Sequence, residues 1–153
     1  MSDLGLAARA ALILVFAVAA YGKLVDRGAL AGVMRAMGVP AIPAAVVAAA
    51  ELACVTLLVL APAAGFALAL ALLAAFTAGL VNAIRRGAHI ACRCFGASTA
   101  PIGKSHIVRN ALLVALAGLG LVMPQTASIA AGAAGALLGL AIVMWDELVL
   151  AFR

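Results

Sequence analysis

An all-α, polytopic membrane bundle of four to five transmembrane helices, making one domain over residues 1–153, is predicted on three observations. The chain is 69% hydrophobic and only 10% charged. Its mean hydropathy is +1.31. Its apolar residues run in long blocks, separated by short polar or Pro/Gly punctuation. Soluble domains are roughly half apolar and one quarter charged, and an aqueous core of this length needs no such excess. Membrane lipid is therefore the expected surrounding.

A spanning helix needs about 20 mostly apolar residues to cross a hydrocarbon core of about 30 Å. On that count the spans fall at about 6–24, 41–60, 64–84, 106–123 and 127–149. The stretch 41–84 is too long for one crossing, and Ala61-Pro62-Ala63-Ala64-Gly65 supplies the break that folds it into a hairpin. Pro124-Gln125 separates the last two spans in the same way. The small residues Ala17, Ala19 and Ala20 imitate a leader cleavage site. Tyr21-Gly22-Lys23 follows them directly, however, Asp3 accompanies Arg9 before the run, and the run exceeds the roughly 7–15 residues of a signal core. The segment reads as a retained span.

Five spans put the segment 23–40, the loop 85–105 and the C-terminus on one membrane face, called X below. Lys23, Arg27, Arg35, Arg85, Arg86, Arg93, Lys104 and Arg153 lie on or beside X, whereas the short turns opposite carry no Lys or Arg. The positive-inside rule makes X cytoplasmic, in a multi-pass protein of the cell (inner) membrane. The net charge of +5 is accounted for by cations that flank spans and meet anionic headgroups. No nucleic-acid motif is present, and no nucleic-acid partner is expected.

Glu51 lies about eight residues past Pro43, which puts it about 12 Å below face X, near the bilayer midplane. An ionisable group at that depth costs roughly 2.5–3.5 kcal/mol on insertion scales and marks a site with a partner to be named. Lys23 and Arg109 are the candidates, since long cationic side chains reach along a helix to groups one or two turns deeper. Asn82 and Asn110 join the layer. A purely structural ion pair locking two helices is the competing reading. Cys54, one turn past Glu51, reads as a small buried hydrophobe. Gly135-x3-Gly139 reads as a close helix-packing face, and Trp145 as an interfacial anchor.

The polar loop 85–105 carries His89-Ile90-Ala91-Cys92-Arg93-Cys94-Phe95-Gly96. Arg85, Arg86, Arg93, Lys104 and the start of the following helix all favour thiolate, the nucleophilic form. A disulfide across so short a separation closes a tight ring, and strained, exposed disulfides exchange rather than staple. Cys92 and Cys94 are thus a candidate redox pair and the candidate centre of a thiol-disulfide oxidoreductase. A soft-metal reading uses the same thiolates with His89, and with His106 or Cys54 as further ligands, for Cu(I) or a similar ion. The spacing does not suit structural zinc, which takes four ligands, typically from two paired clusters. His89 and His106 also read as a solvated loop residue and an interface residue.

Cys92-Arg93-Cys94-Phe95-Gly96, a short polar spacer, and then Val108-Arg109-Asn110 and Leu112 resemble the MauE family of methylamine-utilisation membrane proteins, related to DoxX. Tyr21-Gly22-Lys23-Leu24 closes the first span as in that family, and Glu51 stands where its acidic residue is expected. The resemblance implies a role in maturing methylamine dehydrogenase, whose small subunit is rich in disulfides, beside a thioredoxin-like partner. In relatives without that dehydrogenase it implies a general membrane redox role. Cys92 and Cys94 would exchange, while Lys23, Glu51, Arg109 and Asn110 form a supporting polar layer. By analogy with other membrane disulfide generators, a quinone is the candidate reoxidant. Two competing classes remain, a small transporter or soft-metal handler and a non-catalytic assembly factor. An exported substrate wants the cysteines outside, yet the charge asymmetry puts them inside. Three resolutions stand: an exported cationic loop, passage of reducing equivalents between compartments, or a cytoplasmic thiol partner.

Overall fold

The computed structural model describes residues 3–40, 42–87, 103–125 and 128–145. Among these residues all regular structure is helical: α1 (Asp3–Val25), α2 (Arg27–Met37), α3 (Ala44–Leu60), α4 (Pro62–Arg85), α5 (Lys104–Val122) and α6 (Ile129–Val143). The chain folds as a helical membrane bundle. Helices α1, α4 and α5 are long and apolar enough to cross a bilayer, and α3 and α6 are shorter apolar helices. The outward surface is itself apolar, with Leu60, Val122, Ile129 and Leu137 exposed. Such a surface belongs against hydrocarbon rather than water.

The helix ends follow from local chemistry. Pro62 occupies the first turn of α4, where its missing N–H would have had no helical partner anyway. Ser128 caps α6 through its side chain, which accepts from the Ala131 N–H at 3.3 Å. Helix α2 ends on Gly38, at φ 72°. The Gly38 N–H bonds to the Arg35 carbonyl and the Val39 N–H to the Met34 carbonyl, both at 3.1 Å, the paired closure of a left-handed C-terminal glycine.

Helix α1 is the spine of the bundle and packs against α3, α5 and α6, while α4 closes the far side against α3 and α5. Its buried residues Ala8, Ala11, Leu12, Val15, Phe16, Ala19 and Lys23 recur at three- and four-residue steps and form one continuous face. Phe16, Leu58, Phe66, Leu73, Leu80 and Leu113 fill the core at 0–1% exposure. On the outer side of α1, Gly135 of α6 lies against the backbone of Ala7, and a Cβ on Gly139 would come within 2.8 Å of the Ala11 carbonyl oxygen. Small residues one turn apart let the two backbones approach.

The segment between the first two apolar helices, read from sequence only as part of face X, contains the short helix α2. It carries Leu30, Val33, Met34 and Met37 on a buried face and exposes Arg27 and Arg35. The steps of three, one and three residues set one apolar stripe on α2. It packs on α3 and α4 at the end of the bundle where α1 finishes.

Candidate functional site

The buried polar residues of the bundle, Lys23, Glu51, His106, Arg109 and Asn110, gather toward face X, and the helices fix where each one lies. Lys23 is in the last turn of α1 and Glu51 is the eighth residue of α3. Both are buried, at 2% and 0% exposure, and Lys23 Nζ lies 2.6 Å from Glu51 Oε1. Lys23 also donates to the Ala19 carbonyl at 3.4 Å, and its ammonium stands 5.6 Å from the centroid of the Phe76 ring. The end of α1 and the middle of α3 thus place a cation and an anion in contact inside an apolar bundle. There their attraction is screened far less than in water, and each ion's loss of hydration opposes it. Of the two cations that the sequence offers as partners for Glu51, Lys23 is the one bonded to Oε1.

Helix α5 supplies the second half of the layer. His106, Arg109, Asn110 and Leu113 share its buried face, all at 2% exposure or less, as residues at three- and four-residue steps must. Asn110 donates from Nδ2 to Thr77 Oγ1 at 3.2 Å, and Thr77 donates in turn to the Leu73 carbonyl at 2.7 Å. Thr77 follows Phe76 directly on α4. The ion pair and the Asn110 bond therefore meet neighbouring positions of the same turn of α4. Asn82, about one and a half turns nearer the end of α4, donates to the Met37 carbonyl at 2.5 Å and ties α2 to α4.

Cys92, Cys94 and His89 lie outside the described residues. The described residues stop at Gly87, just past α4, and resume at Gly103, just before α5. Cys54 is buried and donates its Sγ–H to the Gly65 carbonyl at 3.6 Å, near the α3–α4 turn at the opposite end of the bundle from α2. Among the described residues no three His, Cys, Asp or Glu side chains assemble as a metal-ligand set.

Two residues of this region escaped the sequence reading, and a third is placed by packing. His106 is fully buried on the face of α5 that carries Arg109 and Asn110, as its position three and four residues before them implies. Phe76 and Thr77 touch the layer from an apolar stretch of α4, and only tertiary packing selects them.

A comparison with known families decides the affiliation, because the family model described as methylamine utilisation protein MauE matches residues 1–123. The chain belongs to the MauE family. The match takes in α1 to α5, the Lys23–Glu51 pair, the Arg109-Asn110 step and the Cys92-x-Cys94 segment, and it stops short of α6. This MauE family member is a membrane protein related to methylamine utilisation. No curated protein and no solved structure matches the chain.

Proposed function

We propose that this MauE family protein is a membrane-embedded thiol-disulfide exchanger that supports disulfide formation or maturation of partner proteins. Cys92 and Cys94 would be the exchanging pair, and a thioredoxin-like protein the direct partner. The observation that carries the reading is the coincidence of a Cys-x-Cys segment between α4 and α5 with a buried ionic layer on those same helices and their neighbours.

In the exchange, a partner thiolate attacks the Cys92–Cys94 disulfide and forms a mixed disulfide, and the partner's second thiolate then displaces the remaining cysteine thiolate. The partner dithiol gives up two electrons and two protons as its own S–S bond forms, the Cys92–Cys94 disulfide takes up both and becomes a dithiol, and a quinone-class oxidant that accepts two electrons and two protons would return it to the disulfide. Arg109 and the N-terminal end of α5 supply positive potential that favours thiolate. Glu51 is the carboxylate available in the layer to accept or relay a proton, and Lys23 holds it in place at 2.6 Å.

The test is thiol trapping of the purified protein in lipid across glutathione redox buffers, with the state of Cys92 and Cys94 read by mass spectrometry. A reversible Cys92–Cys94 disulfide with a midpoint between those of strong thiol oxidants and thioredoxin is expected. Thiols that remain reduced throughout would sink the exchange mechanism. Stoichiometric Cu(I) binding, lost when both cysteines become serine, would then put the soft-metal reading first.

A further inference from the structure

Helices α2, α3 and α4 line a half-open groove of about 630 Å³. Its two polar lining residues are engaged within the protein, Lys23 with Glu51 and the Ala19 carbonyl and Asn82 with the Met37 carbonyl. What the groove offers an occupant is therefore apolar surface, from residues such as Val33 and Met37 of α2, Val47 of α3 and Leu72 of α4. Val39, Ile42 and Val46 stand exposed along its outer edge, and on a membrane bundle such an edge meets lipid. Along α4 the lining runs from Leu72, near mid-helix, to Asn82 in the last turn, which is about 15 Å of helix at 1.5 Å per residue. Half of a hydrocarbon core about 30 Å thick is the same distance. The groove thus has the depth of one leaflet, the length that one lipid acyl chain fills.

Charge at its X end selects the head. Arg35 is in the last turn of α2, Arg85 is in the last turn of α4, and Arg86 is the residue that closes α4. All three are exposed. Arg86 follows Asn82 by four residues, so it stands on the same side of α4, one turn beyond the groove. Its guanidinium lies over Gly38, where a Cβ would come within 2.5 Å of the guanidinium carbon. Gly38 sits between two lining residues, Met37 and Val39, so this cation is held at the mouth of the groove. Asp26, the carboxylate that flanks α2, stands before its other end, and Glu51 is deep and paired with Lys23. A lipid phosphate suits the planar fork of an arginine. A zwitterionic head would add an ammonium that the three arginines repel, whereas a head of net negative charge adds none. We propose that this groove binds one anionic phospholipid of the X leaflet, its phosphate at Arg86 and one acyl chain lying along α4 as far as Leu72.

The full chain in mixed micelles is titrated with phosphatidylglycerol, and adducts are counted by native mass spectrometry. One saturable adduct per chain is expected, and phosphatidylcholine with the same chains binds at least about fivefold more weakly. Arg86→Gln lowers phosphatidylglycerol binding to the phosphatidylcholine level. Arg27→Gln removes an exposed cation at the other end of α2 and leaves binding unchanged, which separates a local site from general attraction to a basic face. Ala75→Phe and Ala78→Phe, at exposed lining positions, obstruct the acyl chain and weaken both lipids about tenfold. Glycerol phosphate, a head without a tail, does not displace the adduct. The proposal is overturned by any of five results: adducts that accumulate without saturating, phosphatidylcholine binding as tight as phosphatidylglycerol, equal losses from Arg27→Gln and Arg86→Gln, parental binding in both Phe variants, or displacement by glycerol phosphate.

Discussion

Replacing Glu51 by glutamine keeps the shape of the side chain and removes one charge from a pair 2.6 Å apart, at 2% and 0% exposure. At an effective dielectric constant of 20, two unit charges at that separation attract by about 6 kcal/mol before any desolvation is counted. Desolvation takes back several kcal/mol for each ion, so the intact pair contributes little net stability. The single variant is a different matter. It leaves the buried Lys23 ammonium without its carboxylate, and the expected loss is about 3–5 kcal/mol. Lys23→Met strands the carboxylate and costs a similar amount. The double variant Lys23→Met/Glu51→Met removes both charges and both desolvation terms, and it should return to within about 1 kcal/mol of the parent or exceed it. The assay is reversible unfolding in mixed micelles, with the SDS fraction raised stepwise and helicity followed by far-ultraviolet circular dichroism. A Glu51→Gln loss below about 0.5 kcal/mol, the range of a solvent-exposed pair, would refute the reasoning. So would single losses that simply add in the double variant.

Two further outcomes are expected. Gly135→Leu sets a side chain against the α1 backbone at Ala7 and should cost at least the roughly 1–3 kcal/mol of ordinary overpacking. Gly132→Leu, which meets nothing within 4 Å, should be neutral or slightly stabilising in the same SDS titration; equal effects at the two sites would contradict the α1–α6 packing. Cys54, fully buried, should resist maleimide in the folded Cys92→Ser/Cys94→Ser protein and react only once SDS opens the bundle. Rapid labelling before unfolding would show that α3 and α4 do not enclose it.

The helical membrane class was legible because hydropathy is a property of consecutive residues, and a run such as the one in α4 needs no partner to declare itself. The depth of Glu51 was legible for the same reason, since rise per residue converts a position in the chain into a depth. Helix α2 was legible in principle. Leu30, Val33, Met34 and Met37 carry helical spacing, but a segment of 11 residues is too short to announce itself against the long apolar runs around it. The burial of His106 was not legible, because it depends on which face α5 turns toward α1 and α4.

By itself, then, the sequence determined the solvent, the helical class, the polar residues that an apolar bundle must accommodate, and the Cys-x-Cys motif that allies the chain with the MauE family. Tertiary structure decided the partners. Lys23 and Glu51 are 28 residues apart in the chain and Asn110 and Thr77 are 33 apart. Nothing local chooses between Lys23 and Arg109 as the cation that bonds Glu51 Oε1. The choice follows from the rotation and offset of α1 against α3, which are set by side chains such as Phe16 and Leu58 filling one common core. The half-open cavity lined by α2, α3 and α4 has the same origin, because the gap between three helices is encoded in none of them singly.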